Sequence, residues 1–255
     1  MAIEEVFEYP TVKQVIFQIR FPNLFSIENR IGEFQLEIMK EFPESNIVHR
    51  QNQVIARLGT DGKIITPRPE FFNVEKIWQF KSPNNYELNV DSKSLSINSE
   101  YHKTYNNRSQ ASRFRDVIEG TVTAFLELTR VPIINRIGLR YIDSCPIREK
   151  TTASFTDCYN AKFPLERFTI ENNEELVFRA IGAKGEYFLN YLEHFKKEGD
   201  EYRLILDTDA FAKDIKPPDR VLPVTDELHL IISEEYENTI KEPVYQYMHN
   251  GAWNA

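Results

Sequence analysis

Apolar residues recur along this chain on two periods. Val15, Phe17, Ile19 and Phe21 alternate with Ile16, Gln18 and Arg20, a spacing that predicts a strand with one face on a core, closed by Pro22. The period then lengthens: Ile27, Ile31, Phe34, Ile38 and Phe42 form one stripe of a helix that Ser26 begins and Pro43 ends. Strand-like runs follow at 47–58, 75–81, 86–90 and 95–101, separated by turn chemistry such as Thr60-Asp61-Gly62 and Pro83-Asn84-Asn85. A second amphipathic helix is predicted over 109–128, with Phe114, Val117, Ile118, Thr121, Phe125 and Leu128 on one side.

The pattern restarts with a strand over 133–142. No clear period governs 151–164; strands are then predicted at 176–181, 187–195 and 202–206. Pro223-Val224-Thr225-Asp226-Glu227 opens a last helix, with Leu228, Ile231, Ile232, Tyr236 and Ile240 on its apolar face, and Pro243 ends or kinks it. Both halves thus run strand, helix or irregular segment, meander, long helix. Ile19-Arg20-Phe21 stands 120 positions before Leu139-Arg140-Tyr141. The expected fold is α+β with two similar halves, 1–128 and 129–255, each an antiparallel sheet covered by a long helix. No low-complexity linker separates them, so they are expected to pack as one body. Two unrelated layers using the same grammar would give the same pattern.

Composition narrows the function classes. With 39 acidic against 31 basic side chains the net charge is −8, and six of those eight charges fall in 129–255, which argues against a general polyanion-binding surface. A content of 41% hydrophobic and 13% aromatic residues predicts a packed core. No apolar run approaches the roughly 20 residues that span a bilayer, and Met1 to Glu8 is acidic where a secretory signal is basic then apolar. A cytoplasmic protein without membrane association is expected. Cys145 and Cys158 form no CxxC pair and are expected to be reduced thiols. The histidines lack metal-ligand spacing, and neither a metal nor another cofactor is expected.

Catalytic motifs are scarce: there is no GxGxxG, GxxxxGK[ST] or GxSxG. Asp207-Thr208-Asp209, with Asp143, has the chemistry of a divalent-metal site, but a turn in which the aspartates cap backbone amides fits better. Gly182-Ala183-Lys184-Gly185 has the form of a GXXG nucleic-acid clamp, and a hairpin turn fits better there too. The strongest signal is a set of strand arginines. Arg136 and Arg140 share one face, and Arg20 with Gln18 shares the matching face if the halves are duplicates. Such guanidinium groups hold a ligand or partner carboxylate or phosphate, or pair with the protein's own acids, for which Asp91, Asp143 and Asp207 are candidates. Were the halves packed sheet to sheet, these residues would meet in an internal cleft. The acid-free segment 101–115 supplies Lys103, Tyr105, Arg108, Arg113 and Arg115 as candidate nucleic-acid contacts, against a solvated loop entering a helix.

Several words of the chain resemble a known group. Val15-Ile16-Phe17-Gln18-Ile19-Arg20-Phe21, Trp78-Gln79-Phe80, Phe114-Arg115-Asp116, Leu228-His229 and above all Arg136-Ile137-Gly138-Leu139-Arg140-Tyr141-Ile142-Asp143 are similar to a sporadically distributed prokaryotic family of about 250–260 residues with no assigned activity. The resemblance implies a cytoplasmic protein and carries over no catalytic residue. Patchy occurrence, as among mobile and defence genes, implies a role in phage defence or a toxin–antitoxin-like pair. The expected function is a non-enzymatic binding or regulatory protein acting with a protein partner, one encoded nearby in such a system. The alternative is a nucleic-acid- or nucleotide-binding protein, such as a ribonuclease with tandem ferredoxin-like halves.

Overall fold

A computed structural model describes residues 6–51, 57–58, 64–65, 74–107 and 113–253. The first alternating run forms strand β1 (Val12–Arg20), in which Val15, Phe17 and Ile19 are buried while Ile16, Gln18 and Arg20 are not. Helix α1 (Ile27–Ile38) buries Ile27, Phe34 and Ile38 as the stripe predicts, although Ser26 makes no side-chain cap. The meander comprises β2 (Glu44–Gln51), β3 (Arg57–Leu58), β4 (Ile64–Ile65), β5 (Val74–Lys81), β6 (Glu87–Val90) and β7 (Ser94–Ser99). Helix α2 (Phe114–Thr129) follows; the start predicted for it, 109–112, lies outside the described residues.

The second half opens with β8 (Ile134–Pro146). The stretch without a clear period contains a short helix, α3 (Thr152–Cys158), begun by the Thr151 hydroxyl accepting from the Ser154 amide at 3.2 Å. Then come β9 (Leu176–Lys184), β10 (Tyr187–Glu198), β11 (Glu201–Ile215), α4 (Val221–Thr239) and α5 (Glu242–Asn250). Pro243 occupies the first turn of α5, so the proline divides two helices rather than kinking one. The GXXG word is a hairpin: Gly185, with φ +61°, turns β9 into β10, and Lys184 pairs with Tyr187.

Nine strands form one antiparallel sheet in the order β2-β5-β6-β7-β1-β8-β11-β10-β9, and β3 pairs with β4 in a separate ribbon. The two halves therefore join edge to edge through β1 and β8, with Phe17 opposite Leu139 and Gln18 opposite Gly138. Face-to-face packing around an internal cleft is corrected by this pairing. Backbone groups of β1 and β8 satisfy each other, so the two strands run through the middle of one continuous sheet.

One apolar cluster gathers Phe17, Ile19, Phe34, Leu88, Phe125, Leu139 and Leu228. Its aromatic centre is Phe125, 5.0 Å from Phe21 and 5.7 Å from Phe34 between ring centroids, with Phe34 also edge-on to Phe80. A second cluster joins Phe155 and Cys158 of α3 to Phe195, Leu204, Ile240 and Met248, and also buries Cys145. Asp207-Thr208-Asp209 is not a turn. It lies within β11, where Thr208 is buried among core residues and the two aspartates face the opposite way. The strand continues because those carboxylates find partners on β8, some 70 residues earlier, which no local pattern reveals. Among the described residues no helix is long and apolar enough to cross a membrane, and no cluster of three or more His, Cys, Asp or Glu is placed to hold a metal.

Candidate functional site

Strand alternation sends Ile137, Leu139 and Tyr141 of β8 to the core and Arg136, Gly138 and Arg140 to the other face. There they meet the outward residues of β11. Arg140 donates from Nε to Asp207 Oδ1 at 2.6 Å and from Nη2 to Asp207 Oδ2. Arg136 donates from Nη2 to both oxygens of Asp209, at 2.8 and 2.9 Å. The protein's own acids thus answer two of the strand arginines. Asp207 was an expected partner; Asp209 takes the other arginine, while Asp91 and Asp143 take neither. Burial pushes the Asp209 carboxyl up from its ordinary range, against the pull of Arg136 and Arg140, so the pair is held in a partly desolvated setting.

Arg136 reaches Asp209 by lying across Gly138. A Cβ on Gly138 would stand 2.1 Å from Arg136 Nη1, and the guanidinium also sits 4.7 Å from the Phe211 ring centroid. Gly138 is therefore the passage for that side chain. In a Gly138→Ala background the flexible guanidinium is expected to swing away while the fold persists. The Arg136–Asp209 coupling measured by double-mutant cycle should then fall from about 1 kcal/mol towards zero.

Arg20 is directly opposite Arg136 across the β1–β8 pair, a like-charge apposition that turns it aside. Its Nε donates to Gln18 Oε1 at 2.9 Å, the side chain is exposed, and among the described residues no carboxylate pairs with it. Gln18, Arg20, Arg136, Arg140 and Asp209 together line a shallow open groove.

Four of the five candidate nucleic-acid contacts lie among the described residues, and each has partners within the chain. Lys103 donates to the carbonyls of Val12 at 2.9 Å and Glu100 at 2.7 Å. Tyr105 is buried, its hydroxyl donating to Asp226 Oδ1 at 2.7 Å, so its ring is closed to a base. Arg115 grips the same carboxylate from Nε and Nη2 at 2.8 and 2.9 Å, and Arg113 is bound to Asp116 and Asn106. Arg108 lies outside the described residues. Through Asp226, Tyr105 and Arg115 tie the chain after β7, and α2, to α4, while Lys103 and Arg113 are held by groups nearer to them.

A second site went unread in the sequence. On the core side of β8, Tyr141 and Asp143 face His229, Ser233 and Tyr236, which lie on one side of α4 by their helical spacing. With Thr11, Lys103 and Tyr105 they line a cavity of about 70 Å³. Thr11 donates to Asp143 Oδ1 at 2.9 Å and shares a 2.6 Å hydrogen bond with Tyr236. Burial pushes the Asp143 carboxyl up to about 7 and drives the His229 imidazole down to about 4; it also lowers Lys103. The Tyr141 hydroxyl and His229 Nδ1 are buried with no hydrogen-bond partner among the described residues. His229 Nε2 is 3.5 Å from Ser233 Oγ, too long for an activated nucleophile, and burial pushes both cysteine thiols up, away from thiolate chemistry. Residues 105, 141 and 229 carry no shared motif; only the sheet and α4 bring them together.

The chain matches no protein-family model and no curated protein.

Proposed function

We propose that the chain is a non-enzymatic binding protein that engages an acidic protein partner through the open arginine face of its sheet. The observation that carries this reading is Arg20, an exposed cation without a paired carboxylate among the described residues, beside two half-buried arginine–aspartate pairs. In a chain of net charge −8, three arginines against two aspartates make this face locally positive. The pairs fix the geometry, and Arg20 is left to meet an incoming carboxylate. Nucleic acid is the weaker alternative, because the Phe188 and Phe211 rings nearby stack on each other at 5.2 Å, beneath Arg136 and Lys213.

We further infer that the halves are an internal duplication, each sheet covered by its long helix. Support comes from the strand order, in which β1 and β8 are central and each is flanked by the last strand of its own half. Gln18 opposes Gly138, residues related by the same 120-position offset that links the Arg20 and Arg140 words. The resemblance to a patchily distributed family adds the expectation that the partner is encoded nearby, as in defence or toxin–antitoxin-like pairs.

Tagged wild-type and Arg20→Glu chains, captured from the source cells, test the partner reading. A stoichiometric protein on the wild type that salt releases and the variant loses by tenfold or more is the expected result. Melting should be unchanged or raised, since the new acid lies opposite Arg136. Equal capture by both chains would remove Arg20 from the interface, and retained nucleic acid in place of protein would support the alternative.

A further inference from the structure

We propose that the chain forms a two-fold dimer in which β9 of one copy pairs antiparallel with β9 of a second, joining the two sheets into one. β9 is the last strand of the nine-stranded sheet, hydrogen-bonded to β10 on one side and to no described strand on the other. This edge is separate from the arginine groove, and the inference stands independently of the function proposed above.

Local geometry fixes which backbone groups of the strand are unused. The Gly185-Glu186 turn makes Lys184 and Tyr187 a hydrogen-bonded pair, and the ladder alternates from there. Gly182, Ala180, Phe178 and Leu176 therefore turn their backbone groups to β10, while Ala183, Ile181, Arg179 and Val177 turn theirs outward, where no other described backbone meets them. Free edges are usually blunted by a proline, a bulge, brevity or a charge. β9 is nine residues long, has no proline, and keeps an unbroken register with β10. Its mid-strand charge is drawn inward: Arg179 Nε donates to Asn190 Oδ1 at 3.0 Å, which holds the guanidinium back over β10. Val177 and Ile181 are left 56% and 65% exposed on that face.

The residue order of β9 selects a second copy as the occupant, in one register. With the two-fold axis at Ala180, every outward residue meets an outward residue: Val177 faces Ala183 and Arg179 faces Ile181, each pair formed twice. The whole of 176–184 is then paired. An axis at Arg179 would set two guanidiniums opposite each other, and an axis at Ile181 would run Val177 past the strand end onto Gly185. On the other face Phe178 falls opposite Gly182, over which the chain leaves open space, so the ring covers bare backbone. Charge agrees with this register. Lys184, the basic end of one strand, lies diagonal to Glu174, just before the start of the other, whose side chain is 77% exposed. Nine residues a side is fewer than the roughly 20–30 of a standard interface, so the dimer is a weak one, with a Kd of about 10 μM. Pairing consumes the β9 edge of both copies, which closes the assembly at two.

Sedimentation equilibrium of the full chain over about 1–100 μM reads the dimer. Ile181→Lys sets a lysine opposite Arg179 of the second copy, and should weaken association tenfold or more while the melting temperature of the dilute chain is unchanged. Arg20→Glu should dimerise as the wild type does. Oxidative cross-linking locates the axis. Ala180→Cys places two thiols opposite each other at disulfide distance, whereas those of Ala183→Cys, on the same strand, would stand roughly 20 Å apart. Cys145 and Cys158 are buried and do not compete. The expected result is a cross-linked dimer from Ala180→Cys and little from Ala183→Cys. A chain still monomeric at about 100 μM, a dimer indifferent to Ile181→Lys or lost in Arg20→Glu, or equal cross-linking by the two cysteine variants would each overturn the proposal.

Discussion

Phe125→Ala is expected to destabilise the protein by about 3–5 kcal/mol, a large share of the roughly 5–15 kcal/mol that holds a typical domain folded. Phe125 has no exposed surface, and its ring is shared by the end of β1 through Phe21 and by α1 through Phe34. Truncation leaves a void bounded by elements that hydrogen bonding already fixes, so collapse to fill it is limited. Phe25 provides the comparison: it is 87% exposed, and Phe25→Ala should stay within about 0.5 kcal/mol of wild type. Urea midpoints for the two variants decide the matter. Equal losses would mean that α1 and α2 do not share the core through Phe125.

Asp143 should make stability fall as pH rises. Its carboxyl is fully buried, and desolvation outweighs the Thr11 hydrogen bond and the Lys103 charge, pushing it up to about 7. Its unfolded value is near 3.8, so between about pH 4 and 7 the folded chain holds a proton that the unfolded chain has released. Stability from this group is fully present below pH 4 and is lost through pH 7, by up to about 1.4 kcal/mol per pH unit. Buried His102 and His229, both lowered to about 4, act in the opposite sense up to about pH 6.5, so the wild-type profile alone mixes signs. Asp143→Asn isolates the contribution, since the amide oxygen still accepts from Thr11. The stability difference, variant minus wild type, should climb with pH across the window by on the order of 3 kcal/mol. A flat difference would show that the carboxyl ionises freely and that its pocket is wetter than described.

Much of the architecture was open to the sequence because it depends on local period. Val15 to Phe21 announces a half-buried strand, and the stripe from Ile27 to Ile38 announces a helix; each is carried by alternation or spacing that one short segment contains. Gly185 and Pro243 mark a hairpin turn and a helix boundary for equally local reasons, a left-handed φ in one case and a missing amide in the other. Short elements were harder. The seven residues of α3 give too few turns for a period to emerge, and its Thr151 cap is the sole cue.

The same division runs through the sites. Residue order along each strand determined that Arg20, Arg136 and Arg140 would turn away from Phe17, Leu139 and Tyr141, since side chains alternate about a pleated backbone. Only the tertiary structure decided who answers them. Asp207 was one of three candidate partners and Asp209 none until the β8–β11 register set both beside guanidiniums, and Tyr105 read as a loop contact until the packing of α4 placed Asp226 against its hydroxyl in the interior. The cavity is the extreme case. The Tyr141 hydroxyl and His229 Nδ1, without a hydrogen-bond partner among the described residues, and the shifted Asp143 owe their chemistry to burial, and burial is created by the packing of segments far apart in the chain, as Thr11 and Asp143 are. Periodicity fixes which way a side chain points; the partners it meets, and the water it loses, depend on pairing at long range, where no single stretch of chain holds the information.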